Sequence, residues 1–313
     1  MKQDSASATA SVVALGCLCE LKETGVPQGE RVVPLLEAFL SARGIAAPHR
    51  LAAMHSGSSW VRRFLRGTMD LVIPGMFAHY VARKAFIEER VRGLIAEGRR
   101  QLVVVAGGFD TLSLRLAQDF PDLRVIEIDH PATQAVKREA LRQTPALPQG
   151  VPANLRFVAS DLAAEPLGEV LSRGGFDPGL ATVFVLEGFL MYLPEAAVAH
   201  VFQALAGACK CASEGTPPSV CVFTVMSVRE DGVVGFTGGR VELVDAWLAR
   251  QRERFLWGIA ATKLPAFLQS KGWSWSEGST LAEMQRFHAG ANRALAVGES
   301  IHVARLSLAQ ARS

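Results

Sequence analysis

The feature that most constrains the fold is the stretch Gln101 to Asp129, which reads as a strand, a glycine turn, a helix and a second strand. Leu102 to Ala106 is apolar and rich in β-branched valines, as buried parallel strands are. Gly107 and Gly108 follow this run, and Asp129 ends the second strand. The order of these features predicts a nucleoside-binding βαβ unit.

The residue types at this turn suit a particular kind of ligand. Glycines let the backbone approach a bound molecule closely, and an acid at a strand end can accept hydrogen bonds from two ribose hydroxyls. The full G-x-G-x-x-G pattern is absent, because Ala106 replaces its first glycine and Thr111 stands where the third would be. A ligand without phosphates is therefore favoured, and the alternative is a structural turn followed by a surface acid.

Composition limits the protein classes to consider. The chain has 313 residues, of which 49% are hydrophobic and 20% charged, enough for one large α/β domain or two small ones. A net charge of +3 without a basic block gives no reason to expect nucleic acid binding. Apolar runs are short and Asp4 interrupts a poor signal-peptide pattern, so we expect no membrane association and a cytoplasmic location. The oligomeric state stays open.

Five cysteines include two C-x-C pairs, Cys17 with Cys19 and Cys209 with Cys211. The odd number and low density argue against a secreted disulfide framework. No histidine stands at the spacing of a zinc site, and the second pair closes an apolar helix. We therefore expect no metal site.

The rest of the chain predicts a helical N-terminal cap over residues 1–75 and a Rossmann-like domain over residues 76–313. Residues 4–12 are expected to be a frayed tail, and residues 229–263 a helical insertion. Further strands are expected near residues 154–160, 181–186 and 219–226, and an antiparallel hairpin near 273–276 and 300–308. The predicted fold class is α/β: a seven-stranded, mostly parallel sheet with helices on both faces and antiparallel strands at the C-terminal edge.

Other polar residues follow the predicted strands or precede the first one. Asp161 follows the third strand, and Glu187 and Tyr192 follow the fourth, at the edge where open α/β sheets bind ligands. Arg83 lies on a long helix that leads into the first strand and could hold a carboxylate in bidentate fashion. Each also has an ordinary alternative: a turn cap for Asp161, a packed amphipathic ring for Tyr192 and a solvated charge for Arg83.

Four motifs, VVVAGGFDT, VIEIDHP, FVASDL and VLEGFLMYLPEAAV, occur in this order between about Gly75 and Gly207. With this spacing the chain resembles the leucine carboxyl methyltransferase family of S-adenosylmethionine-dependent enzymes. The resemblance implies S-adenosylmethionine as cosubstrate. It also implies a role for each matching residue: Arg83 at the cofactor carboxylate; Ala106, Gly107 and Gly108 beside its methionine part; Asp129 on the ribose; Asp161 and Leu162 around the adenine; Glu187 at the amino group or sulfonium; and Tyr192 near the transferred methyl.

The chain also departs from the family pattern. Leu112 stands where many relatives have an arginine, Ala106 replaces a glycine, and the N-terminal cofactor-binding lysine has no confident match. The acceptor site stays unassigned, so the protein substrate of the named family members is not implied.

These features favour methyl transfer to an oxygen of a small molecule, either a carboxylate or a hydroxyl. Glu187 and Tyr192 are the candidate catalytic residues, and Glu187 or His79 could act as base for an acceptor that needs one. A second hypothesis is attack by the cofactor's own amine on its γ-carbon, which would give azetidine-2-carboxylate and methylthioadenosine without a further acceptor. A third is a cofactor-binding module without catalysis, and a nicotinamide dehydrogenase is disfavoured by the defective glycine pattern.

Overall fold

The computed structural model of the protein describes residues 6–26, 29–209, 215–287 and 294–307. Its centre is a seven-stranded sheet with the order β3-β2-β1-β4-β5-β7-β6. The strands are β1 (Gln101–Val105), β2 (Arg124–Asp129), β3 (Leu155–Ala159), β4 (Thr182–Leu186), β5 (Val220–Met226), β6 (Trp273–Gly278) and β7 (Glu299–Leu306).

Helices cover both faces of this sheet and extend beyond it at the N-terminus. They are α1 (Ala8–Thr24), α2 (Gly29–Ser41), α3 (Ala47–Met54), α4 (Ser59–Val72), α5 (Met76–Ala96), α6 (Leu112–Asp119), α7 (Pro131–Gln143), α8 (Leu167–Arg173), α9 (Glu195–Ala208), α10 (Val241–Gln251), α11 (Leu264–Gln269) and α12 (Leu281–Gln285). Across the described ranges, no helix is both long and apolar enough to span a bilayer.

The strand pairing confirms the predicted fold class. Strands β1 to β5 pair parallel with one another, whereas β7 pairs antiparallel with both β5 and β6. The strand order reverses between β1 and β4, which leaves a crevice beyond their carboxyl ends.

Alternating side chains of the central strands face two separate layers of helices. In β1, Leu102 and Val104 belong to the cluster formed with α1, α2 and α5, and Val103 and Val105 belong to the cluster formed with α8, α9 and α11. Because both faces are covered, these strands read as continuous apolar runs, and this continuity is the signal that identified β1.

The prediction of a frayed tail over residues 4–12 is wrong for residues 8–12, which form the first turns of α1. Ser7 caps this helix, and its hydroxyl accepts the Ala10 N–H at 3.1 Å. Leu15 and Leu18 of α1 are buried in the same cluster as α5. The small polar residues of this region cap and start a buried helix, which their composition alone did not reveal. Residues 4 and 5 lie outside the described residues, as do Cys211 and Leu308.

Residues 229–263 contain less helix than the sequence suggested. Helix α10 is the one helix in this segment, and the remainder consists of turns with short bridges, such as Val228 to Val234.

The division of the chain into a cap over residues 1–75 and a Rossmann-like domain stays a prediction. Buried residues of α1 and α2 share one hydrophobic cluster with α5 and the sheet, so the N-terminal helices pack directly on the rest of the protein.

A buried ion pair supports the glycine turn from behind. Lys137 Nζ lies 2.7 Å from Glu127 Oε1, and both side chains are almost completely buried. Ser113 donates its hydroxyl to Glu127 Oε2, so each carboxylate oxygen has a partner. A Cβ on Gly107 would lie 2.9 Å from the Glu127 Cγ and Cδ atoms. Gly107 is therefore required by packing against Glu127.

We expect Lys137→Met to lower the free energy of unfolding by about 3–5 kcal/mol, because it leaves the Glu127 carboxylate buried without its cation. The double variant Lys137→Met, Glu127→Gln should recover most of this loss. Urea unfolding measures both. Glu139→Gln, which breaks the exposed pair with Arg142 on the same helix, is the control and should change stability by at most about 0.5 kcal/mol. A small effect of Lys137→Met would contradict the proposed role of the pair.

Candidate functional site

The carboxyl ends of the parallel strands open into a cavity of about 700 Å³. Helix α5, the N-terminal helices α1 and α2 and the segment 252–256 complete its walls. Every site residue predicted from the sequence lines this cavity: Arg83, Ala106, Gly107, Gly108, Asp129, Asp161, Leu162, Glu187 and Tyr192. The volume lies within the range of about 300–1,000 Å³ that is usual for small-molecule sites.

The turn after β1 adopts a left-handed backbone at two positions. Gly108 has a φ of 52° and Ala106 a φ of 56°, a conformation that is costly for a residue with a Cβ. The side chain of Asp110 closes the turn by accepting the N–H of Leu112 at 3.0 Å, at the start of α6. A Cβ on Gly108 would lie 3.3 Å from the Cβ of Ala10. Glycine therefore suits position 108 for two reasons: the backbone there is left-handed, and Ala10 of α1 leaves little room for a side chain.

Asp129 is buried at the end of β2 and accepts two backbone hydrogen bonds. The N–H of Gly108 donates to its Oδ2, and the N–H of His130 donates to its Oδ1 at 2.6 Å. Burial raises the pKa of this carboxyl to about 6, although the Gly108 N–H opposes the shift. The carboxylate is therefore held rigidly at the cavity wall, and its charge changes just below neutral pH.

A charged cluster of five residues also lines the cavity: Arg83, Lys84, Asp110, Glu187 and Glu299. Arg83 Nε and Lys84 Nζ each lie 2.9 Å from Glu187 Oε1. Arg83 Nη1 lies 2.7 Å from Glu299 Oε2, and Lys84 Nζ lies 2.8 Å from Asp110 Oδ2. The cluster holds three carboxylates and two cations, so it has an excess of negative charge.

Two carboxylate oxygens of this cluster lack a hydrogen-bond partner within the described part of the chain. They are Glu187 Oε2 and Glu299 Oε1, and both are buried. Burial alone would raise the pKa of Glu299, but the charge of Arg83 and the hydrogen bond from His79 lower it to about 2. An unpaired oxygen on an ionised carboxylate is an acceptor that a ligand with N–H donors would satisfy.

His79 lies behind the cavity wall, and not at the acceptor site that the sequence suggested for it. Its ring is fully buried, its Nε2 lies 2.9 Å from Glu299 Oε2, and its side chain is not part of the cavity wall. The hypothesis that His79 is a base for the acceptor is therefore wrong for this structure, and its contact instead supports Glu299.

Tyr192 lies in an aromatic and polar wall that joins distant parts of the chain. Its ring centroid is 5.5 Å from that of Phe255. Burial raises the pKa of its phenol above the usual range, and the nearby Glu253 adds to the shift, so the hydroxyl stays neutral. Glu253 in turn accepts the Thr9 N–H at 3.2 Å and the Ser7 hydroxyl at 3.2 Å. These contacts hold the start of α1 across the cavity.

The structure shows the turn-capping role considered for Asp161, and its contact with an adenine stays a prediction. Its Oδ1 accepts the Ala163 N–H at 3.0 Å and so closes the turn after β3, while the residue also lines the cavity beside Leu162.

The sequence reasoning gave no role to Lys84 and did not consider Glu299. Lys84 directly follows Arg83, and adjacent helical residues point in different directions, so spacing alone could not assign both to the site. Glu299 begins a strand of the C-terminal hairpin, about 110 residues after Glu187 in the sequence. Only the sheet order, which places β7 next to β5, brings it near Arg83.

The fold and site define a Rossmann-like α/β protein with a ligand cavity at the carboxyl ends of its strands. A model of the leucine carboxyl methyltransferase family matches residues 32–206, more than half of the chain. The chain therefore belongs to this family, as its motifs predicted.

Curated relatives agree with this assignment. A provisionally named S-adenosyl-L-methionine-dependent methyltransferase of Mycobacteroides abscessus is 35% identical over 124 residues, 40% of each chain. Another, of Frankia alni, is 30% identical over 175 residues, 54% of each chain. The chain thus spans about half or less of the length of these curated relatives.

Two solved structures share the fold over most of the chain. One is a provisionally named methyltransferase of Thermobifida fusca, with a TM-score of 0.56 and 16% identity, covering 87% of this chain and 93% of that one. The other is a DUF574 family protein of Streptomyces avermitilis, with a TM-score of 0.57 and 14% identity, covering 87% and 95%. At these identities the likeness shows the fold alone.

The pKa of Asp129 gives a prediction for ligand binding. If Asp129 accepts hydrogen bonds from a ribose, as the sequence predicts, only its ionised form accepts both, so affinity for S-adenosylhomocysteine should rise with pH up to about 7 and then level off. With a pKa of about 6, about a tenth of the carboxyl is ionised at pH 5, so the dissociation constant there should be about tenfold higher than at pH 7. Calorimetry between pH 5 and 8 measures this profile.

Asp129→Asn is the control for this profile. It removes the ionisable carboxyl of residue 129 and leaves the other residues of the cavity wall, including the neighbouring His130, in place. The variant should bind more weakly and without the pH step. If the step persists in Asp129→Asn, another group causes it and the assignment to Asp129 fails.

Proposed function

We propose that the protein is an S-adenosylmethionine-dependent methyltransferase that acts on an oxygen of a small molecule. The observation that carries this proposal is that Asp129 and the charged cluster line the same cavity, and that the cluster has excess carboxylate and an unpaired Glu187 Oε2 among the described residues. A ligand that combines a ribose with an amino-acid group would satisfy both ends of the site. S-adenosylmethionine has these two parts, and the family membership supports it.

Each end of the cavity has groups that fit one part of this cosubstrate. Asp129 would accept from the ribose hydroxyls, and Asp161 and Leu162 would contact the adenine. Backbone atoms of Ala106, Gly107 and Gly108 would lie along the methionine part.

The charged cluster would hold the amino-acid end. Glu187 would accept from the ammonium through its unpaired oxygen. Arg83 and Lys84 would bind the carboxylate: Arg83 has five N–H groups, and the ammonium of Lys84 has a third N–H beyond its two ion pairs. Lys84 would thereby supply the cation that the family has in an N-terminal lysine.

The chain's own residues would act mainly by alignment and exclusion of water. Bound S-adenosylmethionine supplies an electrophilic methyl carbon with a thioether as the leaving group. Glu187 is held by Arg83 and Lys84 and would position the cosubstrate, and an acceptor oxygen that is already ionised needs no base. Tyr192 stays a neutral phenol and can donate a hydrogen bond near the reacting atoms. Helix α1, held by Glu253, closes the site from outside.

The cavity extends beyond the predicted cofactor residues to an apolar wall. This wall includes Val13 and Leu21 of α1 and Leu36 of α2. Space for a second, largely apolar molecule favours methyl transfer over cyclisation of the cosubstrate, which needs no separate acceptor.

The products of the reaction test the proposal directly. Purified protein is incubated with S-adenosylmethionine, with and without a small-molecule cell extract, and the nucleosides are identified by mass spectrometry. We expect S-adenosylhomocysteine to accumulate only with the extract. Methylthioadenosine without extract, above the no-enzyme control, would instead mean attack at the γ-carbon. Binding without either product would indicate a module without catalysis.

Lys84→Met tests the binding of the cosubstrate carboxylate. We expect weaker binding of S-adenosylmethionine by about 10- to 100-fold, since a charge-assisted hydrogen bond contributes about 1.5–3 kcal/mol. Decarboxylated S-adenosylmethionine, which differs only in the carboxylate, should bind almost unchanged. Arg83→Ala should act in the same direction, and calorimetry measures all four affinities.

Lys22→Met is the matched control for Lys84→Met. Lys22 also has two partners, Glu37 and Ser56, and its side chain is 18% exposed against 22% for Lys84, but it lies outside the cavity wall. It should leave both affinities unchanged. Equal weakening of the two ligands by Lys84→Met would remove its assignment to the carboxylate.

A further inference from the structure

We propose that two copies of this chain pair through helix α4, packed antiparallel about a two-fold axis. The first observation is the exposure of large apolar side chains on one face of α4. Trp60, Phe64 and Leu71 are 71%, 56% and 73% exposed, and their spacing of four and seven residues places them on one side of a helix. The rings of Trp60 and Phe64 stack with centroids 5.8 Å apart.

This exposed face is not needed for the fold of the single chain. Helix α4 packs on the body of the protein through its other apolar side, which includes Leu65, Met69 and Val72. None of the residues of α4 is fully buried, and none lines the cavity. Within the described ranges, the face of Trp60, Phe64 and Leu71 is therefore a surface without a packing partner, and it lies outside the proposed active site.

Gly67 is a second, independent observation on the same face. It lies between Phe64 and Leu71, in the interior of the helix. A glycine there costs about 0.5–1 kcal/mol relative to alanine. A Cβ built on Gly67 meets no atom within 4 Å among the described residues, so packing within the chain gives no reason for the glycine. It leaves a notch that a side chain of another molecule can fill.

The face is complementary to itself in one arrangement. When two α4 helices run antiparallel and Trp60 of one lies opposite Leu71 of the other, Phe64 lies opposite Gly67, because both residue pairs have the same midpoint along the helix. The large ring of Phe64 would then fill the notch at Gly67, twice by symmetry. A two-fold interface requires this kind of self-complementary pairing.

The charges on α4 favour the same direction. Arg63 and Asp70 lie along one flank of the exposed face, seven residues apart. In the antiparallel arrangement Arg63 comes opposite Asp70 of the second copy to within about two residues of the helix rise, or about 3 Å, which a long arginine side chain can span. Within its own chain Arg63 is 67% exposed and reaches Glu23 only at 3.4 Å. In a parallel arrangement the two-fold axis would run along the helices, so the two flanks that carry Arg63 and Asp70 would lie on opposite sides of the interface and could not pair.

The size of the face sets the strength of the expected dimer. A helix of 14 residues is about 21 Å long, so two such helices bury less than the roughly 1,200–2,000 Å² of standard interfaces. We therefore expect a reversible dimer with a dissociation constant in the micromolar range. Helix α4 carries Arg62, Arg63 and Arg66 against Asp70, so its charge alone does not select between a second copy and an anionic membrane surface. The fit of Phe64 into the Gly67 notch favours the second copy.

Sedimentation of the whole chain from about 2 to 200 µM, a range that spans micromolar dissociation constants, tests the proposal. The wild type should show a monomer–dimer equilibrium. Phe64→Gln and Gly67→Leu should each weaken it at least tenfold. Gly67→Leu is informative because leucine favours helix and has free space in the monomer, so its Tm should not fall.

Charge reversal tests the antiparallel register. Arg63→Asp and Asp70→Arg should each weaken the dimer, and the double variant should restore it towards the wild-type dissociation constant. Arg138→Asp, an exposed arginine on α7, is the control and should change nothing. A wild type that stays monomeric at 200 µM, or a dimer that none of the α4 variants affects, would overturn the proposal. So would a monomer that cosediments with vesicles of phosphatidylcholine and phosphatidylglycerol.

Discussion

The ion pairs of Arg83 hold together the part of the structure on which the site depends. Its guanidinium lies between Glu187 at the end of β4 and Glu299 at the start of β7, and Arg83 itself belongs to α5. Burying a charge is costly unless opposite charges and hydrogen bonds surround it, and removing one member of such a set leaves the others without compensation. One buried arginine thus fixes the relative positions of a helix and two strands that are distant in the sequence.

This arrangement also makes the proposed amino-acid end of the cavity depend on the C-terminal hairpin. Glu299 lies outside residues 32–206, which the family model matches. The hairpin is therefore more than an edge that completes the sheet, because it supplies the carboxylate that holds Arg83 from behind. His79, also on α5 and fully buried, contacts Glu299 as well, so two residues of α5 hold this carboxylate.

The sequence predicted the centre of the fold well, because local signals are strong there. A continuous apolar run, a glycine turn and a following acid identified β1, the turn and Asp129, and the sheet order then brought Asp161 and Glu187 to the same edge as expected. The reason given for Gly107 was incomplete, since its nearest constraint is the buried Glu127. That contact joins two strands, and no pattern within a single strand indicates it.

The remaining differences arise where structure depends on distant contacts. The start of α1 has a composition typical of a tail, and it is ordered by its Ser7 cap and by contacts of Ser7 and Thr9 with Glu253, more than 240 residues away. Lys84 and Glu299 belong to the charged cluster only because α5 and β7 meet beside β4. Local periodicity cannot show such meetings, even when each element is predicted correctly.

The two apolar surfaces of the N-terminal helices have different consequences. Helix α1 faces inward and forms part of the cavity wall, whereas the exposed face of α4 points away from it. Yet α4 packs on α1, α5 and α10, and all three of these helices contribute residues to the cavity wall. A second copy seated on α4 would add no residue to the site, and it would hold from outside the helices that close it. The proposed pairing surface and the cavity thus have no residue in common, but the helices that support α4 also form part of the cavity wall.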